Sequence, residues 1–204
     1  MPIDLKEQEY WNGVERQTSP DSDFVLDNFE KRRALLHELT KFSFVRGKVL
    51  EIGTGNGVTA HLVRSLNVPM FYAGIDVSDK FASTAKRLFK LDVKVGDAAE
   101  LPWPNETFDS VWAFDSLEHI APYKREQTYK EIDRVLKKDS RYIFINNPLD
   151  EHTSGHDAGF DFGLDEEDVA KLCKATGTKI FYLKTIESQK RQYQFIVLGR
   201  LELK

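Results

Sequence analysis

From Lys48 onward the apolar positions gather into short alternating blocks, while the section ahead of them is patterned differently. Residues 1–23 are mostly polar, with Tyr10 and Trp11 as the conspicuous apolar pair, and they close on the turn cluster Thr18-Ser19-Pro20-Asp21-Ser22-Asp23. From about Phe24 to Phe42, Leu35, Leu36, Leu39 and Phe42 keep helical spacing, so the front section reads as one or two helices attached to a main body. Val49 to Ile52 is then a short apolar strand stopped by the glycines at 53, 55 and 57. The pattern continues with a helix over Val58 to Leu66, a strand over Met70 to Ile75, a helix over Lys80 to Leu88 and a strand over Asp92 to Val95. Phe108 to Phe114 predicts a fourth strand, and Tyr129, Ile132, Val135 and Leu136 mark a helix that leads to a fifth strand over Tyr142 to Ile145. A helix over Asp165 to Thr176, with Asp165 as its N-cap, precedes two apolar runs, Lys179 to Leu183 and Tyr193 to Leu198, that suit a strand pair. Strands alternating with helices over short links imply a mostly parallel α/β sheet covered on both faces. Such sheets bind ligands beyond the carboxyl ends of their strands, so the loops after the first four strands are where chemistry is expected.

A length of 204 residues suits one domain with a substantial core. The apolar share of 41% and charged share of 30% place the chain among globular proteins. Acidic and basic residues are mixed throughout and the formal net charge is −4, which disfavours a protein that grips nucleic acid by its phosphates. The lone Cys173 excludes an intrachain disulfide and a cysteine-rich metal cluster, and it falls in the apolar phase of Val169, Leu172 and Thr176 as a packed thiol. The opening residues lack the basic start and apolar run of a signal peptide, and no stretch approaches the ~20 apolar residues that cross a bilayer. A soluble, cytoplasmic protein with no membrane contact is the expectation.

The chemistry concentrates in four short segments. Val49-Leu50-Glu51-Ile52-Gly53-Thr54-Gly55-Asn56-Gly57 joins a strand to a helix. Glycines there permit a tight turn and leave no side chain between backbone and ligand, and the amides opening the next helix favour negative charge. A dinucleotide fingerprint spaces its glycines as Gly-x-Gly-x-x-Gly, whereas Val58 stands at the last of those positions here, and the Gly-Lys-Ser/Thr of a phosphate loop is absent. The second segment ends the second strand in Asp76, followed by Val77, where a carboxylate can accept from two vicinal ribose hydroxyls. The third is Val95-Gly96-Asp97-Ala98, and the fourth runs from Thr107 to Asp115.

From about Lys48 to Pro148 these segments, in this order and spacing, resemble the class I S-adenosylmethionine-dependent methyltransferases, and Glu131 to Lys137 is similar to a further stretch of that family. The resemblance implies a Rossmann-like sheet of order 3-2-1-4-5-7-6 with the seventh strand antiparallel. It implies one domain over residues 1–204, with 1–46 as a helical lid or cap and 47–204 as the core. S-adenosylmethionine is the implied cofactor and S-adenosylhomocysteine its product. Glu51, Gly53, Thr54, Gly55 and Gly57 would line the methionine portion, and Asp76 with Val77 the ribose. Asp97 and Ala98 would read the adenine, and Phe114 would border the sulfonium. Tyr10 and Trp11 would close over the cofactor or anchor the front helix.

For proton transfer the candidates are His119, just after the fourth strand, and His156, in the polar loop after the fifth. Asp150, His152, His156 and Asp157 together admit a metal site, but the expectation is a solvated loop and no metal. His37 and His61 read as scaffold residues, and Trp103 either lines the adenine pocket or pins its loop. The expected reaction moves a methyl group to an oxygen or nitrogen of a small molecule, by a monomer or homodimer. Phe114-Asp115-Ser116-Leu117 stands where amino-methylating nucleic-acid enzymes carry Asn/Asp-Pro-Pro-Tyr/Phe. A protein or nucleic-acid methyltransferase, and a cofactor-binding partner subunit without activity, stay as alternatives.

Overall fold

A computed structural model of the chain describes residues 3–14, 32–42, 46–65, 70–139, 142–149, 160, 162–188 and 191–200. The alternating blocks form strands β1 Gly47–Ile52, β2 Met70–Asp76, β3 Asp92–Val95, β4 Ser110–Phe114, β5 Tyr142–Pro148, β6 Lys179–Ser188 and β7 Arg191–Gly199. They make one seven-stranded sheet of order β3-β2-β1-β4-β5-β7-β6. β1 to β5 are parallel, and β7 runs antiparallel between β5 and β6. Helix α1 Leu5–Val14 precedes the sheet, as does a second helix, α2, over residues 32–39. Helices α3 Val58–Ser65, α4 Asp79–Phe89, α5 Pro122–Val135 and α6 Glu166–Thr176 follow β1, β2, β4 and β5.

Strands in the middle of such a sheet are covered on both faces, which is why β1 and β4 read as continuous apolar runs. Val49 packs with Leu35, Leu36 and Leu39 of α2 and Val63 of α3, while its neighbour Leu50 packs with Tyr129, Ile132 and Val135 of α5. Helices α2 and α3 therefore cover one face, and α5 and α6 the other. Element ends follow local chemistry. Ser78 caps α4 by accepting from the Phe81 amide, and Asp165 forms a capping box with Asp168 before α6 ends on left-handed Gly177. β4 starts two residues later than the alternation predicts, because the Thr107 and Phe108 amides turn aside to the Val135 carbonyl, at 2.8 and 2.9 Å. β5 and β6 run longer than predicted, to Pro148 and Ser188. Among the described residues, no helix is long and apolar enough to cross a membrane.

Candidate active site

The turn after β1 is held by its neighbour strand. The Gly53 and Thr54 amides both donate to the Ile75 carbonyl, at 2.9 and 3.1 Å, and the Thr54 hydroxyl donates back to the Glu51 carbonyl at 3.2 Å. Gly53 has φ +67°, and a Cβ on it would sit 2.5 Å from the Ser116 Cβ, so glycine is required by both conformation and space. Gly55 also has positive φ, but a Cβ there would meet nothing within 4 Å: the loop faces open space at this point.

Three carboxylates stand at the ends of successive strands. Glu51 is buried at 1% exposure, with Thr59 hydrogen-bonded to it and Oε2 without a partner. Burial pushes its pKa up to about 8, against the pull of the Arg32 charge and the Thr59 bond. Asp76 accepts from the Gly55 amide at 2.7 Å and the Ser78 amide at 2.9 Å. Its burial outweighs those two bonds and pushes its pKa up to about 6. Asp97, also buried, accepts from the Ala99 amide at 2.9 Å and from Lys124 Nζ at 2.8 Å. Ala98 next to it is half-buried against the α5 face of the core.

Helix α1 lies across this row. Gln8 donates to the Val77 carbonyl at 2.9 Å, and Asn12 meets Asp79 and the Ser78 hydroxyl, each at 2.6 Å. Trp11 packs edge-on against His119, with ring centroids 4.9 Å apart, and Tyr10 lies 5.1 Å from Phe160. His119 Nδ1 is 2.9 Å from the Phe160 carbonyl. A carbonyl only accepts, so Nδ1 donates to it, and Nε2 lies 3.9 Å from Oε1 of the buried Glu118.

A further cluster, not foreseen from the sequence, closes the ends of β4 and β5. Arg32 of α2 donates to the Phe114 carbonyl at 2.9 Å and pairs with Asp115 at 3.1 Å. The other Asp115 oxygen accepts from Asn146 at 2.5 Å. Asp115 holds φ +52°, a conformation that non-glycine residues rarely keep without support from their surroundings.

The structure thus gathers Glu51, Gly53, Thr54, Gly55, Asp76, Val77, Asp97, Ala98, Tyr10, Trp11 and His119 around one end of the sheet. Gly57 sits deeper, at the start of α3, where a Cβ would meet Leu91 Cδ1 at 2.6 Å. The Phe114 ring is fully buried with Trp112 and Phe144 in the α2 face of the core, where the Arg32 guanidinium lies 5.7 Å from its centroid and also donates to the Phe114 carbonyl. Trp103 packs on Phe108 and under Lys94 and so pins its loop. His37 is exposed, and His61 is exposed and stacked on Phe89. Cys173 is half-buried, with burial raising its pKa. His156, with Asp150, His152 and Asp157, lies outside the described residues. Among the described residues, no group of three or more His, Cys, Asp or Glu side chains is placed to hold a metal ion.

Known proteins resemble the chain in sequence and in fold. Residues 50–144 match the family model described as a methyltransferase domain. Over 101 residues the chain is 37% identical to the 27-O-demethylrifamycin SV methyltransferase of Amycolatopsis mediterranei, covering 46% of this chain and 36% of that one. It is 30% identical over 116 residues to the fatty-acid O-methyltransferase of Mycolicibacterium smegmatis, covering 55% and 42% respectively. The match thus spans less than half the length of either relative. The magnesium protoporphyrin IX methyltransferase from Synechocystis, solved with bound SAM, shares the fold with a TM-score of 0.72 over 98% of both chains at 14% identity. Residues 50–144, just under half of the chain, thus match a methyltransferase domain, and they lie in a seven-stranded sheet of order 3-2-1-4-5-7-6 with the glycine turn after its first strand.

Proposed function

We propose that the chain transfers a methyl group from S-adenosylmethionine to an oxygen or nitrogen of a small molecule. The observation that carries this reading is the row of Glu51, Asp76 and Asp97 at the ends of β1, β2 and β3 beside the open Gly55 turn. The relatives' names support the acceptor class, since both describe O-methylation of small molecules.

The residues present fit the cofactor. Glu51 Oε2 is a buried acceptor without a partner, suited to the ammonium of the methionine portion. Asp76 keeps lone pairs for the ribose hydroxyls after serving two amides. Asp97 suits the adenine amino group, with the Ala98 amide beside it. When bound, the cofactor supplies an activated methyl group on a sulfonium, so the protein's task is alignment and the exclusion of water.

Each element then has a part. The glycine turn and the carboxylate row fix the donor, while α1 covers it through Gln8, Asn12 and Trp11 and serves as the lid of the front section. Arg32, Asp115 and Asn146 border the place where an acceptor must approach, at the ends of β4 and β5. An acceptor hydroxyl or protonated amine must lose a proton, and His119 Nε2, its tautomer set by the Phe160 carbonyl, takes it.

The test is calorimetric titration with S-adenosylmethionine and S-adenosylhomocysteine, with Asp76→Ala alongside. The expected result is micromolar binding, weakened on the order of a hundredfold by the substitution, which removes charge-assisted bonds. Folded protein that binds neither compound sinks the reading. A screen of small hydroxyl and amine acceptors follows, with His119→Asn expected to lower kcat about a hundredfold where the acceptor must be deprotonated.

A further inference from the structure

Lys124 and Arg125 fall in the phase of α5 that carries Thr128, Tyr129, Ile132 and Val135, and all six are buried. Charge in that phase requires partners. Those of Arg125 belong to the scaffold: the Ile120 and Gly163 carbonyls and Asp168 tie the start of α5 to the approach of α6. Those of Lys124 do not. Its Nζ lies 2.8 Å from Asp97 Oδ2, after β3, and 2.7 Å from Glu7 Oε2, on α1. One ammonium is thus shared by two carboxylates that come from the adenine end of the site and from the helix above it.

Two consequences follow. With Oδ1 bonded to the Ala99 amide and Oδ2 to Lys124, the Asp97 carboxyl plane is fixed, and each oxygen still has a lone pair to offer. Glu7, in turn, reaches the ammonium only while α1 is docked. Burial works against the charge on Lys124, but the bonds from Asp97 and Glu7 outweigh it and raise the pKa, so the ammonium persists at neutral pH.

We propose that Lys124 is a positioning residue for adenine recognition, aiming Asp97 at the exocyclic amino group and fastening α1 over the ring through Glu7. The proposal rests on the cofactor reading given above. A merely structural ion pair would hold α5 to its loop without affecting which base is accepted.

The experiment measures binding of S-adenosylhomocysteine and of S-inosylhomocysteine, which carries oxygen in place of the adenine amino group. The proteins are the wild type, Lys124→Met, Lys124→Arg and Glu7→Gln, with circular dichroism to confirm folding. The wild type should prefer the adenine compound by on the order of a hundredfold, because a site built to bond an amino group rejects the analogue lacking it. Lys124→Met should bring the ratio to within about threefold, as Asp97 loses its charged partner. Lys124→Arg should recover part of it. Glu7→Gln should keep the ratio, weaken both ligands alike and speed hydrogen exchange at the α1 amides. Lys124→Gln gives a second neutral replacement should Lys124→Met not fold. A neutral variant that folds and keeps the wild-type ratio overturns the role of Lys124 alone. Wild-type protein that binds neither compound overturns the cofactor reading, and this proposal with it.

Discussion

The two front helices are docked by different physics. α2 presents Leu35, Leu36 and Leu39, exposed by 2%, 5% and 1%, to Val49, Trp112 and Phe144 on the sheet, and it is part of the core. α1 buries only Glu7 and Val14, and it is held by side chains that reach backbone and polar groups: Gln8 to Val77, Asn12 to Ser78 and Asp79, Glu7 to Lys124. Apolar burial stabilises by area, whereas water can replace the exposed and half-exposed hydrogen bonds of Gln8 and Asn12 at small net cost, which leaves the buried Glu7–Lys124 pair as the costly contact of α1. The lid role proposed above needs a helix held as α1 is rather than one held as α2 is.

The sharpest break of that comparison is Leu39→Ala. It should cost about 2–5 kcal/mol, seen as a lower denaturation midpoint, because it leaves a cavity under α2. S-Adenosylhomocysteine affinity of the folded fraction should not change. A loss of affinity comparable with the loss of stability would show that α2, too, reports on the ligand.

α2 has one polar extension into the site, Arg32, and there the comparison turns on pH. Burial raises Glu51 to about 8, so without ligand the folded chain binds a proton that an unfolded glutamate, at 4.5, has lost. Stability should therefore fall as pH rises between those values, and Glu51→Gln should flatten that slope. An ammonium placed beside Glu51 favours its charged form and lowers its pKa. Cofactor binding should then release about one proton near neutral pH, with affinity rising toward about pH 8. Calorimetry in buffers of different ionisation enthalpy counts that proton. Arg32→Met removes a charge that holds Glu51 down, so the window should move to higher pH. A proton count unchanged by Glu51→Gln would assign the effect elsewhere.

Trp11→Ala reverses the Leu39 result. Its indole meets His119 and Tyr10 on a half-exposed helix, so the stability cost should stay near or below about 1 kcal/mol. Affinity for S-adenosylhomocysteine should nevertheless fall by about tenfold, as the cover over the site loosens. Equal effects on both would make α1 scaffold rather than lid.

Legibility from sequence divides along similar lines. The alternation of strands and helices and the glycine turn were readable because their reasons are local, namely apolar runs, strand ends and a turn of fixed spacing, whereas the sheet order came from the family resemblance. Lys124, Glu7 and Arg32 were not singled out, because their partners lie far along the chain, Glu7 and Lys124 being 117 positions apart. A signal was present nonetheless. Glu7 leads the helical stripe Tyr10, Trp11 and Val14, Arg32 leads Leu35, Leu36 and Leu39, and Lys124 leads Thr128 and Ile132. A charge at the head of an apolar stripe must be paired, although spacing alone does not name its partner. Asp115 offered no such sign, since its left-handed backbone and its bonds to Arg32 and Asn146 appear only once β4, β5 and α2 are assembled. The resemblance sets Phe114 beside the sulfonium, and the structure adds what alternation along β4 implies, that its ring shares the α2 face of the core with Trp112 while meeting Arg32.

The finest test concerns a single residue of α1. Asn12 meets Asp79 with its amide nitrogen and the Ser78 hydroxyl with its oxygen, and Ser78 is also the N-cap of α4. Asn12→Ala removes these exposed or half-exposed bonds but leaves the cap, because the Phe81 amide still finds the Ser78 oxygen at 3.1 Å. Stability should change by no more than about 0.5–1 kcal/mol. Hydrogen exchange should quicken at the amides of α1 while those of α4 keep their protection, which separates undocking of the lid from fraying of the helix beneath it. If both helices exchanged faster, α1 would be holding α4 in place, and the contrast between a removable and a fixed helix would have to be redrawn.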